Sequence, residues 1–212
     1  MRIAQVAPLM EAVPPKLYGG TERIASYLTD ELVAMGHEVT LFASGDSITT
    51  AVLAPAYPQA LRLDPTIRDH IAPFIAMLET VAQRAREFDV VHLHCDYLGY
   101  PVLSRASVPF LATLHGRLDL PELKLVYRAF ADVPVVSISN SQREPLPEAR
   151  YVATVYHGLP EQLLSPGGGG GGYLAFLGRI SPEKAPDSAI RIAARAGMKL
   201  KIAAKIDRVD RE

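Results

Sequence analysis

The first 36 residues carry the pattern that most restricts the fold: a short strand, a loop that ends in glycine, and a helix. Residues 2–7 form an apolar run of strand length, and residues 27–35 carry apolar side chains at helical spacing. The loop between them, residues 8–20, contains three prolines and ends in Gly19-Gly20. A strand, a glycine turn and a helix open a βαβ unit, and this predicts an α/β protein with a parallel sheet.

The glycine pair stands where the backbone N–H groups of a helix start have no partner within the helix. Up to four such donors and the positive end of the helix dipole form an anion site, and we predict that Gly19 and Gly20 bind phosphate. The sequence matches neither Gly-x-Gly-x-x-Gly nor the P-loop motif. The alternative is that the two glycines only permit a tight turn with positive φ before an ordinary helix.

Strands and helices continue to alternate through the first 165 residues. The apolar runs predict further strands at residues 37–43, 89–94, 109–114, 133–137 and 151–156, with a short extra strand at 49–53 and a proline-broken connection at 55–65. Helical patterns cover residues 66–88, 98–104 and 121–131, with a brief helix after the cap residue Ser139. Six or seven strands joined by helices predict a doubly wound parallel sheet.

A change of composition follows this region. Six consecutive glycines at residues 167–172 predict a flexible linker within residues 166–172, whose natural or engineered origin the sequence leaves open. Beyond it we predict a strand at 173–177, a loop at 178–184, a helix at 186–196 and a strand at 199–204. Since residues 173–212 are too few to bury a core of their own, we expect them to be the beginning of a second, incomplete domain.

Charge and composition exclude several classes of protein. The 212 residues are 49% hydrophobic and 21% charged, which is typical of a soluble globular protein, and the net charge of −1 gives no basic surface for nucleic acid. No apolar run reaches the roughly 18 residues that a transmembrane helix needs, and the N-terminus does not resemble a signal peptide. With Cys95 as the single cysteine there is no internal disulfide, and a cytoplasmic location is expected.

Several polar residues follow the predicted strands, where open α/β sheets bind ligands. Asp46 and Ser47 either line a cleft or only form a turn, Ser139 and Asn140 either reach an acceptor or cap a helix, and His157-Gly158 is expected to be a hinge. His92, His94, Cys95 and Asp96 are potential metal ligands, and the His-x-His spacing puts two rings on one face of a strand. Since this pair lacks a third ligand at suitable spacing, we predict no metal site.

Seven segments, in order, make the chain similar to the family 4 glycosyltransferases. They are Tyr-Gly-Gly-Thr-Glu-Arg at 18–23, Gly-His-Glu-Val-Thr-Leu-Phe-Ala at 36–43, Val-His-Leu-His at 91–94, Thr-Leu-His-Gly at 113–116, Val-Ser-Ile-Ser at 136–139, Tyr-His-Gly at 156–158 and Phe-Leu-Gly-Arg-Ile-Ser-Pro-Glu-Lys at 176–184. The resemblance implies a retaining enzyme of the GT-B architecture, with two facing Rossmann-like domains and a nucleotide sugar between them. Residues 1–165 then correspond to the N-terminal domain.

The resemblance also implies roles for individual residues. Arg179 and Lys184 match the pair that contacts the donor diphosphate, and Gly19 and Gly20 match the family's glycine loop. Lys16 resembles a lysine near that loop, although it lies one residue further from the glycines than in the glycogen synthases. His115 matches the histidine beside the transferred sugar and is the expected catalytic residue.

The expected function is transfer of a hexose from a nucleotide diphosphate sugar, UDP- or GDP-linked, to the hydroxyl of an unknown small-molecule or glycan acceptor with retention, without a further cofactor. The family's paired acidic motif falls beyond residue 212, so the chain alone is expected to be inactive. The alternative is a non-catalytic binding or folding module. A sugar-nucleotide 2-epimerase of the same architecture gains no support from the glycine loop.

Overall fold

The computed structural model describes residues 1–205. The chain separates into two compact units, Met1–Leu163 and Leu164–Glu212, and each is described by itself. The division lies close to the expected boundary at residue 165. Within the described residues, no helix has both the length and the apolarity needed to cross a bilayer.

The first unit is built on one sheet of seven parallel strands in the order β3-β2-β1-β4-β5-β6-β7. This is the predicted doubly wound arrangement, in which the chain starts at the centre of the sheet and runs first to one edge and then to the other. The strands are β1 (Arg2–Val6), β2 (Glu38–Ser44), β3 (Val52–Tyr57), β4 (Val90–Leu93), β5 (Phe110–Leu114), β6 (Val135–Ser137) and β7 (Tyr151–Thr154).

Helices connect these strands: α1 (Gly20–Ala34), α2 (Ile71–Gln83), α3 (Tyr100–Leu103), α4 (Leu123–Ala129) and α5 (Asn140–Arg143). On one face of the sheet, Ala25 of α1 packs with Leu41 and Ala43 of β2. On the other face, α2 joins a larger apolar core that includes the alternating residues of the central strands, Ala4, Val6, Val91, Leu93, Ala112 and Leu114. The residues between them, among them Gln5, His92 and Thr113, therefore point to the face that α1 covers.

The helix α1 begins at Gly20, directly after the glycine turn, in the predicted order of strand, glycine turn and helix. One predicted boundary further along this unit was wrong. The strand β3 runs through Pro55, where we had predicted a broken connection. Since β3 is the edge strand, the missing N–H of Pro55 costs no ladder hydrogen bond on its open side.

The helix predicted over residues 66–88 is shorter in the structure, where α2 covers Ile71–Gln83. The Asp69 carboxylate accepts the backbone N–H of Ile71 at 2.8 Å and so caps the start of α2, while a separate 3₁₀ turn covers Ala85–Glu87. Phe74, Met77, Leu78 and Val81 are buried. Ile71 and Ile75 of the same helix are about half exposed.

The second unit contains β8 (Tyr173–Arg179), α6 (Pro186–Ala196) and β9 (Lys199–Lys205), with β8 and β9 paired in parallel. This is the predicted βαβ unit, and α6 has the predicted bounds. The strand β8 continues through Gly178 and Arg179, which we had assigned to a loop. Residues 206–212 of the predicted second domain lie outside the described part of the chain.

The helix α2 offers a matched pair of substitutions. Leu78 is 1% exposed in the core and Ile75 is 54% exposed on the same helix. We expect Leu78→Ala to lower the free energy of unfolding by about 2–5 kcal/mol, because it removes buried apolar contacts and leaves a cavity. Ile75→Ala should change it by less than about 1 kcal/mol. Urea denaturation followed by circular dichroism measures both, and equal losses would contradict the assigned face of α2.

Candidate functional site

Four of the six histidines meet beside the carboxyl ends of the central strands. His92 lies on β4, and Gln5 is its register partner on β1. His94 and His115 follow β4 and β5, and His157 follows β7. Parallel pairing brings these strand ends together, although the residues are up to 152 positions apart in sequence.

The polar side chains form one continuous hydrogen-bonded chain. His94 Nε2 lies 2.7 Å from Gln5 Oε1, and His94 Nδ1 lies 2.8 Å from His115 Nε2. At the outer end, His115 Nδ1 lies 3.3 Å from His157 Nε2, and the two rings stack with centroids 5.1 Å apart. This series of hydrogen bonds therefore runs from the fully buried amide of Gln5 to the exposed His157, and His115 is its third member.

A branch begins at the other end of the same amide. Gln5 Nε2 lies 3.4 Å from His92 Nδ1, and His92 Nε2 lies 2.7 Å from Thr113 Oγ1. Both nitrogens of His92 are thus within hydrogen-bonding distance of a partner on a neighbouring strand. These contacts satisfy polar groups that the sheet buries, which removes the cost of leaving them without partners.

Burial keeps these imidazoles neutral. It lowers the pKa of His92 from the ordinary 6.5 to about 4 and that of His115 to about 3. The pKa of His94 is also far below its ordinary value, because of burial first and the neighbouring histidines second. At neutral pH each of these rings carries one N–H and one bare nitrogen, and each can therefore donate one hydrogen bond and accept one.

The backbone around His115 is held by Gln142 on α5. Its Nε2 donates to Leu114 O and to Gly116 O, both at 2.8 Å, on either side of the histidine. The same side chain accepts the Ile138 N–H at 2.8 Å. Sequence reasoning missed Gln142, although its spacing from Ser139 is that of a capping box and could have drawn attention to it.

The glycine turn precedes α1 as predicted, but its geometry differs from the alternative reading. Neither glycine adopts the left-handed conformation, and the backbone of Gly19 is extended with a φ of 170°. What excludes a side chain at Gly19 is packing, because a Cβ there would lie 2.8 Å from Pro15 Cβ and 2.9 Å from Glu22 Oε2. At Gly20 a Cβ would meet open space.

The turn already holds an internal carboxylate, that of Glu22. Burial raises the pKa of Glu22, while hydrogen bonds from its own backbone N–H and that of Glu11 act in the opposite direction. Glu11, also buried, pairs with Arg62 at 3.2 Å. The backbone N–H of Glu22, one of the four at the helix start that we had assigned to an anion, therefore bonds to the Glu22 carboxylate.

A cleft of about 640 Å³ connects the glycine turn to the histidines. It is lined by Gly19, Gly20 and Glu22 at one end and by His115 and His157 at the other. A second cavity of about 610 Å³ shares His115 and His157 and continues over His92, His94 and Thr113. His115 thus lies at the junction of the two spaces.

The other predicted cleft residues of the first unit make contacts of their own. Lys16 Nζ lies 3.0 Å from Asp46, which also accepts the Ser44 hydroxyl hydrogen at 2.8 Å. Ser47 Oγ accepts the Val13 N–H at 2.9 Å. These bonds hold the loop before α1 against the turn that follows β2. Contact of a ligand with Lys16, Asp46 or Ser47 stays a prediction.

Ser139 is a helix cap, since its Oγ accepts the Gln142 N–H at 3.1 Å, and Asn140 is exposed beside it. In the second unit, Arg179 ends β8 and pairs with Glu183, and the exposed Lys184 ends a 3₁₀ turn. Hydrogen bonds from its own backbone N–H, from Ser181 and from Arg179 lower the pKa of Glu183 to about 2. Phosphate binding by Arg179 and Lys184 stays a prediction.

The potential metal ligands at residues 92–96 do not converge. Cys95 is buried, and its Sγ lies 3.5 Å from Val6 O, while His92 and His94 bond to Gln5. Among residues 1–205, no group of three or more histidine, cysteine or acidic side chains is placed to hold a metal ion.

The buried histidines predict a loss of stability in acid. Because the pKa of His92 is lower in the folded chain, the unfolded chain binds more protons between pH 6.5 and 4, and stability falls as the pH falls through that window. His92 alone should lower the free energy of unfolding by about 2 kcal/mol between pH 7 and pH 5. Urea denaturation at both pH values measures this. His92→Gln cannot titrate and should lose that part of the pH dependence, and an unchanged dependence would contradict the assignment.

The two glycines of the turn predict opposite responses to the same substitution. Gly19→Ala should lower the free energy of unfolding by about 1–3 kcal/mol, because its Cβ would overlap Pro15. Gly20→Ala, at the first position of α1, should leave it unchanged or raise it by up to about 1 kcal/mol. Thermal unfolding of the two variants decides this, and similar effects at both positions would show that packing against Gly19 is unimportant.

The fold is shared with solved glycosyltransferase structures. The glycosyltransferase AviGT4, involved in avilamycin A biosynthesis, superposes with a TM-score of 0.62 at 21% identity, over 99% of this chain and 58% of that one. Sucrose-phosphate synthase from Thermosynechococcus elongatus gives 0.71 at 14% identity, over 99% and 63%. A glycosyltransferase from Rickettsia africae gives 0.51 at 17% identity, over 98% and 68%. At these identities the likeness shows the fold.

The chain therefore spans about three fifths of the length of the first two of these solved chains. None of the curated proteins compared with it is a significant match. The family model of Glycosyltransferase Family 4 matches residues 18–158, a stretch that contains the glycine turn and all four histidines of the site. On that match, which covers most of the chain, the protein belongs to glycosyltransferase family 4.

Proposed function

We propose that the whole protein transfers a hexose from a UDP- or GDP-linked sugar to an acceptor hydroxyl with retention of anomeric configuration. Membership of the family supports glycosyl transfer. The observation that carries the proposal is the cleft that joins the glycine turn at the start of α1 to His115 at the end of β5. Open parallel sheets bind their ligands at this edge.

Backbone N–H groups at Gly19 and Gly20 of the first unit are proposed to bind donor phosphate. For the second unit, considered by itself, we propose that Arg179 and Lys184 bind phosphate. Arg179 would act as a forked donor and Lys184 as a point charge. Negative charge grows on the diphosphate as the sugar leaves, and fixed cations stabilise that charge most in the transition state. Since Arg179 is paired with Glu183, the diphosphate would compete with a carboxylate for this guanidinium.

His115 is proposed to act on the sugar. The bond between the anomeric carbon and the leaving phosphate breaks first, the acceptor oxygen attacks from the same face, and a phosphate oxygen takes the acceptor proton. The anomeric carbon carries positive charge during this step. A neutral His115 does not repel that charge, whereas an imidazolium would, and its low pKa keeps it neutral at physiological pH. Its ring would hold a hydroxyl of the transferred sugar.

A buried carboxylate in the same cleft, Glu22, raises the question of a covalent intermediate. Its oxygens accept backbone N–H groups of the turn, including its own. These bonds lower the reactivity of a carboxylate as a nucleophile, and we therefore assign Glu22 to the structure of the turn. The proposed same-face reaction requires no nucleophilic carboxylate.

The proposal is tested by joining residues 1–163 to a complete second unit of a family 4 glycosyltransferase and measuring release of UDP and GDP from a panel of donors. We expect His115→Ala to lower kcat/KM by about 100-fold or more, because a group in contact with the transferred sugar is lost. His70→Ala, an exposed histidine before α2, is the control. Donor-dependent release that His115→Ala leaves intact would contradict the role of His115. No release with any donor would favour the alternative of a non-catalytic binding module.

A further inference from the structure

The inner end of the histidine chain is an amide that cannot titrate. Gln5 is 0% exposed, its Oε1 faces His94 and its Nε2 faces His92. The carbonyl oxygen of an amide only accepts hydrogen bonds, and its nitrogen only donates them. Gln5 therefore fixes the donor and acceptor at the first position of both branches.

The donor and acceptor roles at Gln5 determine those of each following ring, because each neutral imidazole has one N–H and one bare nitrogen. His94 must carry its proton on Nε2 to donate to Gln5 Oε1, which leaves its Nδ1 bare. A bare Nδ1 on His94 can only accept, so the facing His115 Nε2 must carry a proton. The remaining nitrogen of His115, Nδ1, is therefore bare and accepts from His157.

The same amide accounts for the branch. Gln5 Nε2 donates to His92 Nδ1, which must be bare, so His92 Nε2 carries the proton and donates to Thr113 Oγ1. Turning the Gln5 amide over would reverse both branches together and would place the proton of His115 on Nδ1. One buried side chain thus decides which nitrogen of His115 carries the proton.

We infer that Gln5 and His94 are positioning residues that hold His115 as its Nε2–H tautomer, with Nδ1 as a hydrogen-bond acceptor on the side of His157. His157 is the exposed end of this series of hydrogen bonds, and its Nε2 lies 3.3 Å from His115 Nδ1. A bare imidazole nitrogen accepts a hydrogen bond from any hydroxyl, so a hydroxyl of the transferred sugar that replaced His157 as donor would form an equivalent bond with Nδ1. This last step, and only this one, rests on the proposed function.

The test is nitrogen NMR of the 212-residue chain with 15N-labelled histidine at neutral pH, where protonated and bare ring nitrogens have well-separated shifts. We expect His115 and His94 to show a protonated Nε2 and a bare Nδ1. In Gln5→Met, which keeps the length of the side chain, a proton on His94 Nε2 would be a buried N–H without an oxygen acceptor, so we expect this proton to move to Nδ1. The Nδ1–H of His94 then donates to His115 Nε2, and the shift of His115 Nδ1 moves into the protonated range.

Ser137→Ala is the matched control, because Ser137 is equally buried in the same sheet and bonds to Thr154, outside the histidine chain. Its histidine shifts should equal those of the unsubstituted chain. A protonated Nδ1 on His115 of the unsubstituted chain would overturn the inference by itself, whether or not Gln5→Met folds. An unchanged His115 tautomer in a folded Gln5→Met chain would overturn the role of Gln5. No donor sugar enters these measurements, so their outcome is independent of the transfer assay.

Discussion

The candidate site depends on one constraint: polar groups that a parallel sheet buries must find partners within the sheet. Residue alternation on β1, β4 and β5 sends the apolar side chains to the main core and sends Gln5, His92 and Thr113 to the opposite face. Once there, the imidazoles cannot remain charged, and each needs both a donor and an acceptor. The hydrogen bonds that link Gln5 and the histidines supply these donors and acceptors. The same bonds fix the orientation of the His115 ring.

The sequence predicted the parts of this arrangement that local pattern controls. Apolar runs and turn residues predicted six or seven strands in a parallel sheet, and the structure has seven. Polar residues after strands pointed to the carboxyl edge as the site, because all parallel strands end there. His115 was found on that argument and on the likeness to the family, and the structure places it in the cleft.

The partners of His115 were beyond local reasoning. Gln5 stands within an apolar run and reads as an ordinary strand residue, and His157 was expected to be a hinge. Their contacts with the other histidines depend on strand order, which pairs β1 with β4 across 87 positions of sequence. The predicted break at Pro55 was wrong for the same reason. Only the strand order shows that β3 is an edge strand, where proline is tolerated.

Neutrality of the buried imidazoles links the fold to the proposed chemistry, because a charged His115 would both break the hydrogen-bonded chain and repel a cationic sugar. An NMR titration of the ring nitrogens of His115 from pH 8 to pH 4 measures this property directly. We expect His115 to stay neutral over the whole range in which the protein is folded, as its pKa of about 3 requires. A protonation midpoint of His115 near the ordinary value of 6.5 in the folded chain would contradict it.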